Sequence, residues 1–478
     1  MSNNITNWAY QQAIKLLNPN RNDDHTAQAP APQAPQKPEI KRHKISPTDF
    51  PETPSLPALS VAGEKNKQRL RLHLLNNELV LLACRLAIKP EEMEYRQFLV
   101  TQMRGIVLDF CKARNLAQDA ITLRVVGSHA FSLGRHNSGL DLEFRTDNTG
   151  VKAEQMLDSF SMWMKHGANQ TANTLLNLNR MRKGGDGLRP YVQVPTRFGG
   201  VSVFLRVNVP NAAAAAASFR TYLKQNREDL QYPLMLVLAY YFESRFFLDP
   251  EDGGINMFCL AHMVVASAQR EHRPKNLNLC DTFMDFLQFY SGVYQAQSMA
   301  IFIRPNFVFV HRKHTATNAK PKPPPPDRKS LTSKQPIQIL EPHDPENDMT
   351  AGAWRWEEMR CELMSISVIV KERLELNTIS GINSSLTNGV LGGFIPPPPR
   401  VVQDYRDAVA RVWVKACTLH DPNTPEFLTF LASEAPVVPI TQSSAQPPVK
   451  IETISLISDD EADENDGHPL GPVGGMAR

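Results

Sequence analysis

Apolar and polar positions alternate most regularly between Ile121 and Phe144. Ile121, Leu123 and Val125 are apolar at every second place, and the run stops at Gly127-Ser128, as a half-buried strand ended by a turn does. Leu140, Leu142 and Phe144 repeat the pattern, which predicts a second strand with Asp141 and Glu143 together on its other face. Tyr191 to Asn208 predicts two more strands about a Gly199-Gly200 turn, with Val201, Val203, Leu205 and Val207 facing inward. Elsewhere the period is helical. An apolar helical run covers Leu74 to Leu86, and Pro90-Glu91-Glu92 opens a second helix with Pro and acids in its first turn. Leu99, Met103, Ile106 and Phe110 then form one buried stripe. Further helices are predicted over 154–165, Ala212 to Lys224, Leu234 to Phe247, Gly254 to about Gln269, and Asp281 to Tyr290.

Composition changes the picture at the ends. Residues 1–65 are rich in Pro, Ala, Gln and Asn, so they are expected to be disordered, with ordered structure beginning near Arg69. Lys41, Arg42, His43 and Lys44 form a short basic cluster, which a nuclear localisation signal or a solvated patch would both explain. Residues 314–335 are Pro- and Lys-rich and predict a loop. The net charge of +3 hides an asymmetry: residues 435–478 carry seven acids against Lys450 and Arg478, or −5, which leaves about +8 on the rest. A basic body with an acidic tail suits a partner such as RNA. Six cysteines far apart, with no CxxC pair, indicate neither a zinc site nor a disulfide framework and fit a reducing compartment. No apolar run reaches the roughly 18 residues that a bilayer requires, and Met1 to Pro19 has no signal-peptide form, so a soluble intracellular protein without a membrane partner is expected.

Two carboxylates on one strand face can hold divalent cations, although a solvated strand edge carries the same pattern. A Gly-Ser turn leading to an acid-x-acid strand resembles the signature of the nucleotidyltransferase superfamily. The chain from about Leu74 to Leu363 resembles, more narrowly, the DNA polymerase sigma-like poly(A) polymerases, including the catalytic subunits of the TRAMP complex. The resemblance rests on five ordered stretches: LNNELVLLACRLAIKPEEMEYR, VVGSHAFSLGRHNSGLDL, GGINMFCL, NLNLCDTFMDFLQFYSG and LEPHDPENDMTAG. It implies an α+β, two-lobed nucleotidyltransferase with a small mixed-sheet palm, a helical PAP-associated domain and disordered tails. The implied domains are a helical lead-in of the central domain (66–119), a palm (120–215), a helical PAP-associated domain (216–370, with the loop 314–335), and a C-terminal helical segment with a Pro-rich loop (371–434). An acidic disordered tail (435–478) follows. Nucleotide contacts are implied for Gly127, Ser128, Gly253, Gly254, Asn347 and Asp348, with ATP in the cleft and an RNA 3′ end as acceptor.

Departures from the family pattern bear on the chemistry. With the family's usual spacing from Gly127-Ser128, the first metal-binding Asp falls on Gly139 and the second on Asp141, while the third falls on Phe204 in VSVFLRV. The Lys expected to meet the triphosphate falls on about Leu238, and nothing basic is expected in the cleft motifs to compensate. A turn longer by two residues would make Asp141 and Glu143 the catalytic and metal-binding pair, with Mg or Mn, yet the third acid would still be missing. These readings point to a catalytically impaired poly(A) RNA polymerase-like protein of nuclear RNA 3′-end processing, acting as an RNA-linked scaffold or regulatory subunit. One alternative is an active ATP-dependent RNA 3′-terminal adenylyltransferase using Asp141 and Glu143. Another is a SUMO-linked interaction protein: Val449-Lys450-Ile451-Glu452 resembles a SUMO acceptor site, and Ile454, Leu456 and Ile457 ahead of an acidic run resemble a SUMO-interacting motif. A short apolar run flanked by acids can add to a sheet edge beside a basic rim. RNA, a zinc-knuckle RNA-binding protein and SUMO are the partners these patterns imply, and the nucleus the compartment.

Overall fold

Pro90 and the two acids that follow it start a helix as the sequence predicts, and the buried stripe on that helix meets a mixed sheet. The computed structural model describes residues 64–436, apart from 117–120, 131–133, 147–151, 167–169, 185–189, 210, 226–227, 270–277, 305–306, 312–335 and 376–388. The predicted loop 314–335, the tail 437–478 and most of the N-terminal stretch lie outside the described residues. Helices α1 (Glu64–Leu86) and α2 (Pro90–Ala113) lead into β1 (Ile121–Val125), the one-turn α3 (Gly127–Ala130) and β2 (Leu140–Thr146). Helices α4 (Ala153–Lys165) and α5 (Gln170–Leu175) follow, then β3 (Arg182–Gly184), β4 (Tyr191–Pro195) and β5 (Ser202–Val207). The strand order is β1-β2-β5-β4-β3, with β2 parallel to β5 and the other pairs antiparallel.

Period-two alternation puts Leu140, Leu142, Phe144, Val192, Val194, Val203 and Leu205 on one face of this sheet, all buried. Leu99, Met103, Ile106 and Phe110 of α2 cover that face and are at most 1% exposed, each burial stabilising by about 1.5–3 kcal/mol. Helices α11 (Arg400–Leu419) and α12 (Pro425–Ser433) complete the same core through Trp413 and Phe427.

A second core is helical. It combines α1 with α6 (Ala212–Gln225), α7 (Glu228–Ser244), α8 (Met257–Ala268), α9 (Leu279–Gln288) and α10 (Trp356–Glu375). Helix α7 begins six residues before the predicted Leu234 and carries Pro233 inside it, because burial of Tyr232 on this core outweighs the propensity cost. Two small ribbons were not predicted: β6 (Met299–Arg304) with β7 (Phe307–His311), and β8 (Leu340–Glu341) with β9 (Asp344–Asp348). No helix among the described residues is long and apolar enough to cross a membrane.

Candidate functional site

The second face of the sheet carries the predicted Asp141 and Glu143, and the Gly127-Ser128 turn closes over Asp141. Val126 donates its N–H to the Asp141 carbonyl at 2.9 Å. Gly127 has φ +64°, and a Cβ there would overlap the Asp141 carboxylate, so only glycine lets the turn approach this closely. Ser128 lies half-buried in α3. Burial pushes the Asp141 carboxyl up, and Arg206 opposes that shift.

Parallel pairing sets Phe204 of β5 directly beside Asp141 of β2, at the roughly 4.8 Å spacing of neighbouring strands. The Phe204 ring lies across Gly139, where a Cβ would overlap it. Gly139 and Phe204, the positions on which the resemblance would place the first and third acids, are therefore in contact, with the aromatic ring filling the space between them. Two residues along β5, Arg206 pairs with Glu143 in register and brings its Nε to 3.7 Å from the Asp141 carboxylate. The expectation that nothing basic remains in the cleft motifs is overturned by this arginine. Strand alternation puts Arg206 on the face of Phe204, and the parallel pairing with β2 brings it to Asp141.

Glu143 is 2% exposed. Burial raises its carboxyl, opposed first by the Val209 backbone N–H and then by Arg145 and Arg124. Among the described residues no three His, Cys, Asp or Glu side chains converge into a set that could hold a metal ion. The donor set around Asp141 thus does not fit two divalent ions. It offers one carboxylate facing an internal cation, one buried carboxylate beyond it, and an aromatic ring in place of a third.

Other predicted positions lie in the helical core. Gly253 has φ +77° and packs under the Trp354 ring, while Gly254 sits where a Cβ would strike the Phe247 carbonyl, so both are buried turn residues at this point of the chain. Asn347 donates to Glu341 Oε2 at 2.6 Å. Asp348 is 9% exposed and accepts from the Thr350 N–H at 2.9 Å and the Thr350 hydroxyl at 2.7 Å. Leu238 is 1% exposed inside the helical core. Lys450, Ile454, Leu456 and Ile457 lie outside the described residues.

No family model matches the chain, and none of the curated proteins does. Among solved structures the chain is similar to the polymerase core of TRAMP, an RNA surveillance complex, with 16% identity, a TM-score of 0.54, and coverage of 71% of this chain and 98% of that one. A mutant of the Cid1 poly(U) polymerase bound to MgATP aligns at 12% identity and TM-score 0.46, over 66% of this chain and 97% of that one. A cytoplasmic RNA terminal U-transferase aligns at 12% and 0.47, over 70% and 99%. The chain therefore shares the fold of that polymerase core, α+β with a small mixed sheet and a helical lobe.

Proposed function

We propose that this chain is a poly(A) RNA polymerase-like nucleotidyltransferase whose transfer chemistry is impaired, acting as an RNA-linked scaffold or regulatory subunit in nuclear RNA 3′-end processing. The observation that carries the reading is the Phe204 ring lying against Gly139 beside Asp141. Two-metal transfer needs carboxylates that hold two ions, and the ions in turn stabilise the attacking and leaving oxygens. Here one half-buried carboxylate remains on that part of the sheet, and Arg206 faces it. Without a bridging set, the reaction is abolished rather than slowed. The same reading takes in RNA and a zinc-knuckle RNA-binding protein as partners, and SUMO as a partner of the segment from Lys450 to Ile457.

Incubation of the purified full chain with ATP, Mg or Mn and a short RNA tests the enzymology. No extension is expected. Extension that disappears in Asp141→Ala and in Glu143→Gln would favour the active adenylyltransferase instead. For the tail, titrating SUMO with a peptide of residues 445–468 should shift SUMO's edge-strand amide resonances, and an unchanged spectrum would end that part of the reading.

A further inference from the structure

The open face of the sheet has a property that the loss of acids alone does not produce. Two aromatic rings stand on it, each packed over a glycine of the neighbouring segment. Phe204 of β5 covers Gly139 just ahead of β2, and Tyr191 of β4 covers Gly184 of β3, where a Cβ would overlap the Tyr191 ring. The two rings meet edge to face at 5.6 Å between centroids, and the Arg206 guanidinium stands 5.0 Å from the Tyr191 ring centre. All three side chains are half-buried, so their outer surfaces remain open to solvent.

Register then places arginines around this patch. Arg124 of β1 pairs with Glu143, Arg145 lies two residues along β2 from Glu143, and Arg182 of β3 pairs with Gln193, itself the partner of Phe204. Directly paired residues share a face, so Arg124, Arg145, Arg182 and Arg206 all stand on the face of Phe204 and Tyr191. The first three are exposed. Four inter-strand steps of about 4.8 Å separate β1 from β3, so the charged rim spans about 19 Å. Four arginines oppose two acids there, of which Glu143 is buried and Asp141 faces Arg206.

We propose that this face is a metal-independent binding platform for single-stranded RNA, with bases stacking on Phe204 and on the Tyr191–Arg206 pair and phosphates held by Arg124, Arg145 and Arg182. The chemistry follows from the parts. Every base has an apolar face that stacks on aromatic rings or guanidinium planes, and exposed arginines pair with phosphate without any ion between them. A duplex keeps its bases stacked inward and offers only phosphates to such a surface, so it should bind less well. Arg206 supplies, from within the chain, a positive charge beside Asp141 where the family would place a metal. The proposal rests on the reading that transfer is impaired and names the ligand that the altered face would hold.

The test is fluorescence anisotropy of the full chain with a labelled oligoadenylate of about 12 nucleotides, near the upper site size of a stacking groove. Affinity should be the same in EDTA as in Mg, and log affinity against log salt should have a slope of about −2, from about −0.7 for each of three phosphates. Tyr191→Ala combined with Phe204→Ala should weaken binding by about tenfold or more. Arg124→Glu, Arg145→Glu and Arg182→Glu together should abolish it and flatten the salt dependence, whereas Arg400→Glu with Arg411→Glu, exposed on α11, should leave it unchanged. Circular dichroism keeps the arginine variants interpretable, because those side chains are exposed and outside the core. A requirement for divalent ions, binding that survives the triple reversal, equal loss in the α11 control, or equal affinity for an RNA duplex would each overturn the platform. The transfer assay reads extension and this one reads metal-free association, so the two readings fail separately.

Discussion

Glu92 and Arg406 form an ion pair at 2.7 Å, with side chains 7% and 3% exposed, and Arg406 also donates to the Arg85 and Ala87 carbonyls. Burial by itself would raise the Glu92 carboxyl, but the Arg406 hydrogen bonds and charge outweigh it and hold it below the usual glutamate value. An acid depressed on folding contributes stability above its unfolded pKa of about 4.3 that is lost as pH falls through the lower folded value. Arg406→Ala leaves that carboxylate buried without its partner and is expected to cost about 3–5 kcal/mol at neutral pH. In denaturant unfolding, the gap to the unmodified protein should begin to narrow above the ordinary glutamate value of about 4.3, where the lone, burial-raised carboxyl takes up a proton, and narrow further below it as the paired Glu92 of the unmodified protein loses its advantage. His262 also loses stability toward acid, but there it is the neutral form that the fold favours. Burial between Phe219 and Phe258 pushes it down to about 4, against the Phe258 carbonyl that favours the charged ring. Its unfolded form takes up a proton first, so stability falls with pH from about 6.5 to about 4 at about 1.4 kcal/mol per pH unit. His262→Leu should make the fall of the urea midpoints across the window shallower by that amount, while the buried His129 and His136 keep their own contributions.

At the scale of elements, the β4–β5 hairpin and the start of α8 are the most exposed to single changes. Gly199 and Gly200 have φ +72° and +64°, and a Cβ at Gly199 would press on the Tyr95 ring. Gly199→Ala should cost at least about 1–2 kcal/mol from the left-handed backbone, with more from Tyr95, read as a lower urea midpoint at unchanged m-value. Asn256 caps α8 by accepting from the Cys259 N–H at 2.8 Å. Asn256→Ala should cost about 1 kcal/mol in the same measurement. The hairpin turn was legible in the sequence, because a Gly-Gly pair acts through its own neighbours, whereas α8 was expected from Gly254 and begins three residues later, after the Asn256 cap. The ribbons β6–β7 and β8–β9 were not legible there. Asp344 to Asp348 reads as an ordinary turn, and its strand exists through antiparallel pairing with Leu340–Glu341 and the Asp348–Thr350 bonds.

Across the whole molecule, the C-terminal helices belong to the sheet core far behind them in the chain. Trp413 stacks at 5.5 Å from Tyr95 and 5.6 Å from Phe98, and Phe427 at 5.3 Å from Phe98. Arg406 on the same α11 clasps the α1–α2 corner, where the helical core and the sheet core adjoin. A chain ended at residue 399 should therefore lose its cooperative unfolding transition and its near-ultraviolet circular dichroism, while one ended at 436 keeps both. Retention of a sharp transition by the shorter chain would show that the sheet core closes without α11 and α12.

Local pattern determined the strand faces, the stripe of α2, the glycine turn over Asp141 and the starts of α2 and α6, since each depends on residues within a turn or a pleat of one another. It also placed Gly139 and Phe204 where acids would be expected. That these two touch, that Arg206 faces Asp141, and that two aromatics pack over glycines with arginines around them were decided only in the tertiary structure. The parallel pairing of Leu140 with Val203 joins segments with α4, α5, β3 and β4 between them. A parallel register is set by how both strands bury their apolar faces on the shared core, and nothing within either strand specifies its partner.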